Sequence, residues 1–160
     1  MRYLIVLLFF VLQCPAASVE QVVDYDGCEI SGHLRDAAAT SFTIRIHDAP
    51  LTAKLGAGIK SWWGVDGGIP RRVTSDLALR IGHTEVTIPR RAYADLGNPN
   101  LPNSISLMQL HKDIYLYIHG GDAAGSYIAK FFVHDGRLTR REVVPGEFPD
   151  LKPQVMTFDQ

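Results

Sequence analysis

Several things are scarce in this chain, and each scarcity removes a class of protein. Cysteine comes first: among 160 residues there are two, Cys14 and Cys28. If the segment carrying Cys14 is removed, Cys28 stands alone, no intramolecular disulfide can form, and the fold must rest on an apolar core. Cys28 itself reads as a small buried apolar residue rather than as a reactive thiol. Charge of one sign is also lacking, with 16 basic residues set against 17 acidic ones. That balance provides no strongly basic face for nucleic acid and no polybasic attachment to a membrane. Signature motifs are missing too. The chain has no Gly-x-Ser-x-Gly elbow, no His-Glu-x-x-His, no Cys-x-x-Cys and no phosphate-binding glycine-lysine loop, which lowers the case for an enzyme. No cofactor is expected.

What is present begins with a targeting pattern. Met1-Arg2-Tyr3 opens with a positive charge, LIVLLFFVL follows as an apolar run at 4–12, and Pro15-Ala16-Ala17-Ser18 ends in small residues. A charged start, a short apolar stretch and a small-residue exit describe a secretory signal peptide over 1–18. The run is too short for a membrane span, which takes roughly 20 apolar residues, so no membrane anchor is expected after cleavage. Removal leaves 15 basic and 17 acidic residues. The protein is then expected to be exported, periplasmic or secreted, with 19–40 as a partly irregular N-terminal leader and 41–160 as a single β-rich domain.

Beyond the leader the dominant pattern is alternation at period two between turn residues, the mark of half-buried strands. SFTIRIH (41–47) sets Phe42, Ile44 and Ile46 on one face, and SDLALRI (75–81) does the same with Leu77, Leu79 and Ile81. Gly82-His83 joins the latter to TEVTI (84–88) as a hairpin. SISLMQL (104–110) and IYLYIH (114–119) form a second hairpin, with the tyrosines and the later phenylalanines suited to a half-buried pleated surface. SYIAKFFVH (126–134) and RLTRREVV (137–144) flank Asp135-Gly136, the strongest type I′ turn signal in the chain. Pro89 to Leu96 reads as one short helix, with proline at its start and Gly97 after its end. The three prolines from Pro145 onward leave only 154–158 as a candidate edge strand. The expected fold is mainly β: an antiparallel sandwich or half-open barrel built from hairpins, with that helix near 89–96.

Candidate sites are sparse. The six histidines fall at strand ends and turns, where polar residues sit in any case, and no metal site is expected from them. Asp24-Tyr25-Asp26-Gly27 has the opening of a calcium loop but lacks its downstream acid. In Arg140-Arg141, neighbours on a strand point to opposite faces, so one arginine turns coreward and needs a carboxylate, with Glu142 or Glu147 as local partners. Two segments carry the ligand-binding candidates. SWWGVDGGIP (61–70) offers Trp62, Trp63 and Asp66 at a glycine-built corner, and GGDAAGSY (120–127) offers Asp122, Ser126 and Tyr127. On an extended backbone the two indoles part, one packing inward and the other free to stack on a ligand. The leading expectation is a non-catalytic binding or interaction module whose surface joins these segments, its extracytoplasmic ligand a glycan or a protein. The alternative is a hydrolase using Asp66, Asp122 and a strand-end histidine. A second alternative is a structural or inhibitory protein that pairs through an edge strand.

Overall fold

The computed structural model of the chain describes residues 20–24, 27–35 and 38–158. The expected signal peptide lies outside these residues, as do Tyr25 and Asp26 of the carboxylate motif. Ten strands form two antiparallel sheets of five, and each sheet is a meander in which every strand pairs with its sequence neighbour. The first sheet holds β1 (Glu20–Asp24), β2 (Gly27–His33), β3 (Ser41–Pro50), β4 (Arg72–Ile81) and β5 (Thr84–Val86). The second holds β6 (Ile105–Leu110), β7 (Asp113–Gly120), β8 (Tyr127–His134), β9 (Arg137–Pro145) and β10 (Gln154–Thr157). The leader is therefore largely sheet: β1 and β2 extend the first meander. The arrangement is sandwich-like, with no closed barrel.

Alternation decides which side chains meet between the sheets. Ile44, Ile46 and Leu79 from the first sheet and Leu116, Ile118 and Phe131 from the second are almost wholly buried and belong to one cluster. Burying a large aliphatic or aromatic side chain is worth about 1.5–3 kcal/mol, so this shared layer supplies the main cohesion of the fold. Cys28 is part of it. The Asp135-Gly136 turn has positive φ at both positions (47° and 75°), as a type I′ hairpin requires.

Each sheet is bent by one extra residue. In the first, Ser75 is inserted opposite the His47–Asp48 step. In the second, Thr139 is inserted opposite Phe132–Val133, and its hydroxyl donates to Phe132 O at 3.2 Å. A bulge shifts the parity of the strand beyond it. That shift puts Arg141 on the same inner face as Leu138 and sends Arg140 outward.

The residues read as a helix at 89–96 are wound more tightly. They form a 3₁₀ turn, Arg90–Ala92, followed by further turns that end at Leu96. Ala92, Tyr93 and Leu96 are buried in the core cluster. Among the described residues the one α-helical turn, Ala53–Gly56, lies in the β3–β4 connection, where Thr52 caps Leu55 N–H at 3.2 Å.

Candidate functional site

The corner at 61–70 and the loop at 120–127 do meet. Trp63 N–H donates to Asp95 O at 3.0 Å, and Gly97 N–H donates to Trp63 O at 2.9 Å, which lays the corner beside 95–97. Asn98 fastens it further by donating its amide to Gly64 O at 3.0 Å. Gly64 has φ of +91° and faces Gly97 so closely that a Cβ would collide with Gly97 O, so only glycine fits there. The second loop closes over this point. Gly121 N–H donates to Asn98 O at 2.8 Å, and a Cβ on Gly125 would lie 2.7 Å from the Val65 carbonyl carbon. Between them runs a shallow groove of about 480 Å³ bordered by Val65, Ile69, Arg71, Asn98, Asn100 and Asp122.

The candidate residues are placed unequally around it. Asp66 and Asp122 are exposed and Ser126 is half-buried. Both indoles are half-buried. Trp63 packs on the core cluster and donates its indole N–H to Gln154 Oε1 at 2.8 Å. Trp62 lies against the α-helical turn near Gly56. Tyr127 is 1 % exposed, so its ring belongs to the core.

Beneath the corner is the coreward arginine. Arg141 is 1 % exposed and its partner is Asp95, from the turn region, rather than Glu142 or Glu147. The pair is bidentate, Nη1 to Oδ1 at 2.6 Å and Nη2 to Oδ2 at 3.0 Å, and Nη1 also donates to Ala92 O at 3.1 Å. Glu142 instead pairs with Arg140 on the outer face at 3.3 Å. The hydroxyl of Tyr127 nearby has no hydrogen-bond partner. Burial and the negative charge of Asp95 push its pKa well above the ordinary tyrosine range, with Arg141 opposing. A phenol held neutral and an arginine already matched to a carboxylate form a strut between sheet and turn, and neither group is poised to move protons.

The His–Asp contact within hydrogen-bond reach, His134 Nδ1 to Asp113 Oδ1 at 2.6 Å, is exposed. It lies at the far end of β7–β8 from the 120–127 loop, seven residue steps or about 24 Å away along the strand. The hydrogen bond to Asp113 and the charge of Asp135 raise the pKa of His134. Neither Asp66 nor Asp122 hydrogen-bonds a histidine among the described residues. Those residues also hold no group of three or more His, Cys, Asp or Glu side chains able to bind a metal, and no helix long and apolar enough to cross a membrane.

The most unusual surface lies elsewhere, on the outer face of the second sheet. Register aligns its outward residues in rows across the strands. One row reads Met108, Tyr115, Phe132, Arg140 and Thr157, and the next reads Ser106, Tyr117, Lys130, Glu142 and Val155. Tyr115 and Phe132 meet edge to face with centroids 5.4 Å apart. The Lys130 ammonium lies 4.4 Å from the Tyr115 ring centroid, 4.6 Å from that of Phe132 and 5.5 Å from that of Tyr117, and the Arg140 guanidinium stands 3.9 Å over Phe132. Met108, Leu110 and Val155 are 46, 52 and 50 % exposed along this face and its edges. Tyr115, Tyr117 and Phe132 are half-buried on strands, as the reading of YLY and KFFV expected, but that reading did not group them on one face. The available signal was the alternation itself, since placing Leu116 and Phe131 inward forces Tyr115, Tyr117 and Phe132 out.

The first sheet shows the opposite. Its outward rows are Ser31, Thr43, Arg80 and Glu85, then Glu29, Arg45 and Ala78. Arg80 donates to Thr43 Oγ1 at 3.2 Å, and the groove there, about 230 Å³, is bordered mainly by charge. No family model, curated protein or solved structure matches the chain.

Proposed function

We propose that the protein is an exported, non-catalytic interaction module that engages another protein through the outer face of its second sheet. The carrying observation is the four-strand row of Met108, Tyr115, Phe132 and Arg140, with Lys130 set among three half-buried rings and Met108, Leu110 and Val155 exposed around them. Apolar side chains grouped on the surface of a small domain mark a contact surface. Aromatic residues, methionine and arginine are also the types enriched at the centres of protein interfaces. An open sheet face suits an extended partner surface better than an enclosed small molecule, which prefers a concave site. Export is supported by the charged, apolar and small-residue segments of 1–18.

Site-specific photo-crosslinking in cells that export the full chain tests this reading. A photoreactive phenylalanine analogue at Tyr115 is expected to trap a protein adduct, whereas the same group at Arg45, on the first sheet, traps none. Equal yields from both positions, or no adduct from Tyr115, would remove the basis for the proposal.

A further inference from the structure

Resting on the interaction-module reading, the next question is which surface complements these rows, and the register supplies a specific answer. We infer that the outer face of the second sheet docks on the same face of a second copy of this chain, about a two-fold axis parallel to the strands and between β8 and β9. Such an axis lays β8 of one copy over β9 of the other and preserves height along the strands. Lys130 then stands over Glu142 of the second copy, Phe132 over its Arg140, and Ile128 over its Val144, because these are the laterally paired residues of β8 and β9. Each contact occurs twice, as a self-complementary interface requires. Farther out, Tyr117 meets Val155 and Tyr115 meets Thr157.

Charge selects this axis among its neighbours. An axis running along β8 would set Lys130 against Lys130. One between β7 and β8 would set Lys130 over Tyr117 and leave Glu142 opposite Ser106. Only the β8–β9 axis places each ammonium opposite a carboxylate and each guanidinium opposite a ring. The four strands that overlap about this axis, β7 to β10, at about 4.8 Å spacing and about 20–24 Å of strand length, project roughly 420 Å² per copy, or about 850 Å² in total, the size of a weak, transient contact. The dimer is therefore reversible and concentration-dependent, with the two apposed sheets about 10 Å apart.

Sedimentation equilibrium of the protein purified after export tests the inference, because the substitutions concern outward side chains and leave the core intact, as circular dichroism would verify. The wild-type mass is expected to rise from one chain to two with concentration. Lys130→Glu and Glu142→Lys should each weaken association by at least about tenfold through like-charge contacts, and the double charge swap should restore it. A mass that stays at one chain at every concentration would overturn the dimer. So would single reversals without effect, or a double swap no better than the singles. Adsorption of the monomer to anionic lipid vesicles that Lys130→Glu abolishes would likewise overturn it in favour of a membrane surface. If the purified chain is monomeric while Tyr115 photo-crosslinks to a different protein, the dimer falls and the interaction module stands. If Tyr115 yields no adduct as well, both fall.

Discussion

Across the first sheet an outward row reads Ser31, Thr43, Arg80 and Glu85, whereas across the second an outward row reads Met108, Tyr115, Phe132 and Arg140. The inner faces also differ. The inward side of β3 is aliphatic and aromatic at Phe42, Ile44 and Ile46, while that of β9 carries Arg141 between Leu138 and Val143. The first sheet thus follows the ordinary division of an antiparallel sheet, apolar toward the core and polar toward water. The second breaks that division twice, with rings turned out and a charge turned in. The inward charge is paired with Asp95 and so serves the fold. The outward rings are packed by one another and by Lys130 and Arg140 yet remain on the outer face, and that difference in placement is what the interaction reading rests on.

The comparison is most sharply broken by removing the inward charge's partner. Asp95→Ala leaves Arg141 buried and unpaired, and should cost about 3–5 kcal/mol of stability. Urea denaturation would show it, alongside a matched control, Asp76→Asn, on the exposed outer face of the first sheet, expected within about 0.5 kcal/mol of wild type. A loss at Asp95 as small as at Asp76 would mean that the strut does not hold the turn region to the sheet. A smaller effect is expected from the two outer faces. Phe132→Ala removes the edge-to-face contact with Tyr115, worth about 0.5–1.5 kcal/mol beyond its buried area, while Thr43→Ala on the first sheet should change stability by no more than about 0.5 kcal/mol. Equal unfolding midpoints for these two variants would show that the aromatic row lends the isolated chain nothing. The smallest effect concerns the β7–β8 end. With its pKa raised by Asp113 and Asp135, His134 contributes to stability while protonated in the fold. That contribution is complete below the ordinary histidine value and is lost as pH rises through the raised one. Asp113→Asn should lower the His134 titration midpoint followed by NMR, and an unchanged midpoint would contradict the hydrogen bond as its main cause.

Most of the fold is legible along the chain because its determinants are local. Strands from β3 onward follow from alternation at 41–47, 75–81, 114–119 and 126–134, and the Asp135-Gly136 turn follows from two positive φ angles. β2 is harder to read: Gly27 and Gly32 interrupt the apolar alternation of Cys28 and Ile30, so GCEISGH resembles a leader. Pro89 and Gly97 indicate a capped turn but do not separate an α-helix from a 3₁₀ one. The site was less legible for a reason of distance. Arg141 was read as needing a carboxylate, yet its partner is 46 residues away, and the Trp63 indole is satisfied by Gln154, 91 residues on. The aromatic surface is an intermediate case. Each outward ring can be inferred from its own strand, but the rows exist only once register aligns four strands side by side.

The central claim, that the second outer face is covered in solution and the first is not, is tested most directly by oxidative footprinting of the purified protein over a range of concentrations. Tyr115, on the second face and within the overlap of β7 with β10, should be oxidised in dilute solution and become protected as concentration rises, while His33 on the first face reacts equally throughout. Tyr115 reactivity that does not change with concentration, or protection that appears equally at His33, would contradict it.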